Sequence, residues 1–142
     1  MFYRYFYIFL LLMNGGLLLA DKGQVNLLIY GDSISAGYGM DKDKQWSEEL
    51  QKILTEEKIN LAIINKSLSG ETTGGGLTRL ERVLDNSKPS YILIELGGND
   101  ALRGYPPAKI KNNIEQMINL SIKRGVKVFL MQIRILPNYG KR

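Results

Sequence analysis

The chain has 142 residues, 44% of them hydrophobic, which is room for one domain with a packed core and not for two. Nineteen Lys and Arg against fourteen acids give a formal charge of +5. The basic residues are scattered, with no run of five and no aromatic-interleaved basic patch, so the charge reads as a solvated surface and no nucleic-acid partner is expected. With no cysteine and no histidine, disulfides, a thiolate nucleophile and a Cys-based zinc site are excluded, and no metal or organic cofactor is expected.

The N-terminus, "MFYRYFYIFLLLMNGGLLLADKGQ", carries one basic residue at Arg4, an apolar stretch from Tyr5 to Met13, a break at Asn14-Gly15-Gly16 and a second apolar run ending in Ala20. Residues 1–20 therefore read as a signal peptide cleaved after Ala20, leaving a charge of +4 on residues 21–142 and an exported, periplasmic or secreted product. An uncleaved anchor is the rival reading. The sixteen residues from Tyr5 to Ala20 fall short of the about twenty that span a bilayer, so no stable membrane span is expected once the signal is removed.

From Val25 the pattern alternates. "VNLLIY" (25–30) is a short apolar run bounded by turn residues, the mark of a strand buried on both faces. "WSEELQKILTEEK" (46–58) sets Trp46, Leu50, Ile53 and Leu54 on one helical face. "LAIIN" (61–65) is a second strand. Leu77, Leu80, Val83 and Leu84 mark a second helix, ending before Pro89. "YILIEL" (91–96) is a third strand. Pro106-Pro107 opens a helix carrying Ile110, Ile114, Met117 and Ile118, stopped at Gly125, and "VKVFLMQI" (126–133) is a fourth strand. This order predicts an α/β fold with a parallel sheet and right-handed crossovers. No helix follows the fourth strand to cover it, so the C-terminal part of the domain is expected to be missing.

In such a sheet ligands bind at the edge formed by the strand C-termini. Three strands end there in small polar loops, "GDS" (31–33), "SLSGET" (67–72) and "GGND" (97–100). Each has a plain reading: Asp32 or Ser33 as a helix cap, Gly70 as a turn residue with positive φ, Asn99 and Asp100 as turn formers. "GDSIS" is not the G-x-S-x-G nucleophile elbow, because position 35 is serine. The clusters "GYG" (37–39) and "GGG" (74–76) fit neither G-x-G-x-x-G nor a P-loop, although Thr72 to Gly76 can open a helix near the site. Together the loops suggest acyl transfer to Ser33. The N–H groups of Ser33 and Gly70 and the amide of Asn99 would be three donors for a negative tetrahedral oxygen.

Four blocks, "YGDSISAGYG", "SLSGETTGGGLTRL", "IELGGNDALRG" and "LMQIRILPNYG", closely resemble, in order and at family spacing, the GDSL or SGNH hydrolases. They are most similar to the periplasmic branch of acyl-CoA thioesterases, arylesterases and lysophospholipases. The resemblance implies a flavodoxin-like three-layer α/β/α sandwich acting on small acyl esters or thioesters. It implies Ser33 as nucleophile, with Ser33, Gly70 and Asn99 as the oxyanion hole. Asp32 and Asp100 match positions that hold loops in place, and by analogy Leu77 and Pro137 border the acyl site. On this reading residues 21–142 are an incomplete SGNH hydrolase domain.

The family's base is a histidine in a later D-x-x-H block, and these residues contain neither that block nor any histidine. No lysine stands in an apolar context that would lower its pKa enough to substitute. The 142-residue chain is therefore expected to be nearly inactive. The alternative is a non-catalytic, decayed or lipid- or ester-binding derivative.

Overall fold

The computed structural model describes residues 24–133; the expected signal segment, Pro137 and most of the fourth block lie outside them. Strand β1 (Val25–Gly31) is central, and Leu28, Ile29 and Tyr30 are all fully buried, so an unbroken apolar run is what this position demands. After the short helix α1 (Ser33–Ala36) and a 3-10 turn (Lys42–Lys44) come helix α2 (Trp46–Glu56) and strand β2 (Leu61–Asn65). Helix α3 (Thr73–Ser87), strand β3 (Tyr91–Glu95), the one-turn helix α4 (Gly98–Leu102), helix α5 (Pro107–Lys123) and strand β4 (Lys127–Leu130) complete the described chain.

The sheet is wholly parallel with strand order β2-β1-β3-β4, the flavodoxin-like pattern. Successive connections leave β1 in opposite directions, which makes the gap between β1 and β3 the topological switch point. There the register sets Gly31 beside Glu95, and one strand over it sets Ile29 beside Asn65. Helices α3 and α5 cover one face, where Leu80, Leu84 and Met117 pack on Leu28, Tyr30 and Ile94. Ile29 is buried on the opposite face, and α2 packs on β2.

Helix limits follow local chemistry. The Thr72 hydroxyl accepts from the Gly75 N–H to start α3, which ends at Lys88, in the left-handed region ahead of Pro89. Pro107 opens α5, where a missing N–H costs nothing, and Gly125 (φ 74°) turns the chain after it. No helix among the described residues is long and apolar enough to cross a membrane.

Three expectations need correction. Helix α2 buries Ser47 and Leu54 but leaves Ile53 49% exposed, so its inner face is rotated from the one apolar spacing alone defines. Polar bonding sets that phase: the Gln51 Oε1 accepts from the Ile63 N–H at 2.8 Å, and the Asn65 amide donates to the Ser47 hydroxyl at 3.1 Å. Strand β4 is Lys127–Leu130 rather than 126–133, because its partner β3 ends at Glu95 and the last rung runs from the Met131 N–H to the Ile94 carbonyl. Finally, the "GDS" and "GGND" loops are not purely loops, since each opens a short helix.

Candidate active site

All three polar loops emerge at the C-terminal edge of the sheet, those of β1 and β3 on either side of the switch point. In the first, Asp32 caps α1: its Oδ1 accepts from the Ile34 N–H at 3.1 Å. Ser33 is then the first helical residue and is half-buried. Capping and a reactive role thus fall on different residues, Asp32 and Ser33, so one does not exclude the other.

The other Asp32 oxygen reaches the third loop, accepting from the Asn99 Nδ2 at 3.0 Å. One amide hydrogen is engaged there, which orients the side chain, and a primary amide carries a second hydrogen that remains to donate. Asp100, fully buried, faces the opposite way. Its carboxylate accepts from the Thr73 N–H at 2.8 Å and the Thr73 hydroxyl at 2.5 Å, and the Asn113 amide donates to that same hydroxyl at 3.0 Å. Asp100 therefore fastens the third loop to the start of α3.

The second loop is held from both sides. The Leu68 N–H donates to the Gly31 carbonyl at 3.0 Å, the Gly31 N–H donates to the Ser67 hydroxyl at 3.0 Å, and Arg103 from the third loop donates to the Gly70 carbonyl at 3.2 Å. Gly70 has φ +77°, which strains any residue with a Cβ. The structure thus links Ser33 to Asn99 through Asp32, and Gly70 to the third loop through Arg103. Leu77, in α3, is partly buried and packs against the core cluster.

Sequence reading missed several residues that fix this edge. Asn65, at the end of β2, donates to the Ser35 carbonyl at 2.6 Å and accepts from the Ser67 N–H at 3.0 Å. Glu95, at the end of β3 and 1% exposed, accepts from the Ser35 hydroxyl at 2.8 Å. Burial pushes the Glu95 carboxyl up from its ordinary value, and the nearby Asp32 charge adds to the rise against the opposing hydrogen bonds. The Glu71–Arg79 ion pair ties the second loop to α3, and Arg79 lies over the Tyr30 ring, 4.2 Å from its centroid. A signal existed for Asn65 and Glu95: each is a polar residue closing an otherwise apolar strand. Each loop also exposes a large apolar side chain, Ile34, Leu68 and Leu102 respectively. Among the described residues no cluster of acidic side chains is placed to hold a metal.

Comparison with known proteins places the chain in a family. Residues 29–141 match the model of a family described as GDSL-like lipase/acylhydrolase. An arylesterase of Vibrio mimicus is 49% identical over 123 residues, covering 87% of this chain and 62% of its own length. A thioesterase 1/protease 1/lysophospholipase L1 of Escherichia coli K12 is 37% identical over 136 residues, covering 96% of this chain and again 62% of its own length. Among solved structures, the psychrotrophic esterase EstA of a Pseudoalteromonas species, inhibited there by monoethylphosphonate, superposes with a TM-score of 0.79 at 42% identity. That match covers 81% of this chain and 63% of the other. The chain thus spans under two thirds of the length of these relatives.

Proposed function

Because the chain belongs to the GDSL-like lipase/acylhydrolase family, we propose that it carries the nucleophile and oxyanion hole of an exported hydrolase of small acyl esters or thioesters. The observation that carries this reading is the pairing of Asp32 with Asn99, which fixes the serine loop against the amide loop at the switch point. Residues 1–20 are the signal and 21–142 belong to the hydrolase domain. The Ser33 Oγ attacks the acyl carbonyl, and the Oγ–C bond forms as the C=O electrons move onto oxygen. That negative oxygen is met by the Ser33 and Gly70 N–H groups and the free hydrogen of the Asn99 amide, each donor worth about 3 kcal/mol in comparable sites. Collapse expels the alcohol or thiol, and water then hydrolyses the acyl-enzyme. The relatives named arylesterase and thioesterase/lysophospholipase support the ester and thioester classes, and Ile34, Leu68 and Leu102 offer apolar surface suited to an acyl group.

The Ser33 proton needs an acceptor, and none of the 142 residues is a histidine. The 142-residue chain by itself is therefore expected to hydrolyse a p-nitrophenyl ester at rates close to its Ser33→Ala variant. Oxyanion stabilisation and binding alone leave a residue of about 10³- to 10⁴-fold over water in a serine protease stripped of its triad. Ordinary turnover lost in Ser33→Ala would overturn the claim of near-inactivity while upholding Ser33. Ordinary turnover that survives Ser33→Ala undiminished would remove Ser33 from the mechanism.

Coding DNA beyond Arg142 gives a further test, since a D-x-x-H block in any frame would supply the base that the hydrolase reading calls for.

A further inference from the structure

Helix α1 is one turn long and buries only Ser35, so packing of its own apolar face cannot hold it in place. Yet it must present Ser33 at a fixed point. Its anchor is the residue two places beyond Ser33, where the nucleophile elbow of other hydrolases has glycine.

Ser35 is 1% exposed and is gripped from two strands. The Glu95 Oε2 of β3 accepts from its hydroxyl at 2.8 Å, and the Asn65 amide of β2 donates to its carbonyl at 2.6 Å. The amide N–H groups of Asp32 and Ser35, one on each side of Ser33, face the same Glu95 carboxyl. The fit is close: a Cβ on Gly31 would lie 2.5 Å from the Glu95 Oε2 and 3.0 Å from the Ser35 Cβ, so Glu95 can sit there only beneath a glycine. The other carboxyl oxygen, Oε1, is buried without a hydrogen-bond partner.

We propose that Glu95 is a positioning residue, holding the Ser33 turn from beneath through the hydrogen bond its carboxyl accepts from Ser35. The inference rests on the reading of Ser33 as nucleophile. Burial at this depth disfavours the charged carboxylate, while the Ser35 hydroxyl that donates to it opposes that effect. Around Glu95 stand Gly31 of β1, Ser35 of α1 and Asp32 of the loop between them, and of these only Asp32 is charged. The balance of these effects is the upward push on the carboxyl described above. Proton loss from Glu95 would then set two carboxylates against one another under the serine and loosen the turn.

The test is amide NMR of the whole 142-residue chain. In the wild type, the Ser33 and Ser35 amide signals should follow one titration whose midpoint lies above the ordinary glutamate range, and Glu95→Gln should abolish it. Hydrogen exchange of the Ser35 amide should quicken at least tenfold in Glu95→Ala and in Ser35→Ala while that of the core residue Met117 is unchanged. Glu95→Gln should restore the slow exchange. Should Glu95→Ala fail to fold, the glutamine and Ser35 variants carry the measurement. A titration of Ser33 and Ser35 that persists in Glu95→Gln, or Ser35 exchange unaltered in Ser35→Ala, would overturn the proposal. None of these signals depends on chemistry at Ser33, so failure of the nucleophile reading would appear separately, in the ester assay.

Discussion

Asp100→Ala tests whether the third loop is held as the structure shows. Asp100 is fully buried and is the acceptor for both the N–H and the hydroxyl of Thr73. Alanine leaves two buried donors without partners, each costing about 1–3 kcal/mol, and local relaxation recovers part of that. The expected loss is about 3–5 kcal/mol, a large share of the about 5–15 kcal/mol that stabilises a typical domain. Asp100→Asn keeps one acceptor oxygen but turns an NH₂ toward donors, so about half the loss is expected. Thr73→Val removes the hydroxyl that links Asp100 to Asn113, and in combination with Asp100→Ala it should cost less than the sum of the two, by about 1–2 kcal/mol. Urea unfolding of the 142-residue chain and its variants measures all four values. An Asp100→Ala chain within about 0.5 kcal/mol of wild type, as for an ordinary surface change, would refute the reasoning.

The remaining predictions concern the core and the buried acid. Tyr30→Phe deletes the hydroxyl that donates to the Gly76 carbonyl at 2.6 Å, and a loss of about 1 kcal/mol is expected from urea unfolding. Leu80→Ala, at a fully buried position between α3 and the sheet, should cost about 2–5 kcal/mol. Glu95→Gln should alter the pH dependence of stability with a definite sign. The folded carboxyl holds its proton to a higher pH than the unfolded one, so the folded state binds more protons in the window above the ordinary glutamate value and wild-type stability falls as pH rises through it. The glutamine variant lacks this fall. Its stability should therefore gain on the wild type as pH rises, and a difference independent of pH would count against a raised Glu95.

The alternation of apolar runs with amphipathic segments was enough to name four strands and three long helices, because parallel strands buried on both faces carry no polar interruption. Leu28, Ile29 and Tyr30 are the example. The three loops were legible too, since Gly, Ser, Asn and Asp cluster where the apolar runs stop. Phase and partnership were not. Helix α2 turns its Ser47 and Gln51 inward because β2 has backbone and side-chain groups to satisfy, and apolar spacing contains no record of that demand. Likewise Glu95 reads as one charge in "YILIEL". Its meaning depends on Ser35, sixty positions away, and on a register that brings Gly31 alongside.

These long-range bonds form a closed circuit. Asp32 to Asn99 and Glu95 to Ser35 join the first loop to the third strand and its loop. Asp100 to Thr73 and Arg103 to Gly70 join the third to the second. Asn65 to Ser35 and Ser67 to Gly31 join the second back to the first. Each loop is thus hydrogen-bonded to both of the others, and the donors proposed for the oxyanion are oriented before any substrate arrives, the condition under which such donors are most effective. No histidine takes part in the circuit. The loops owe their shape to these bonds rather than to a catalytic base, so the arrangement around Ser33 can be studied by exchange and spectroscopy independently of turnover.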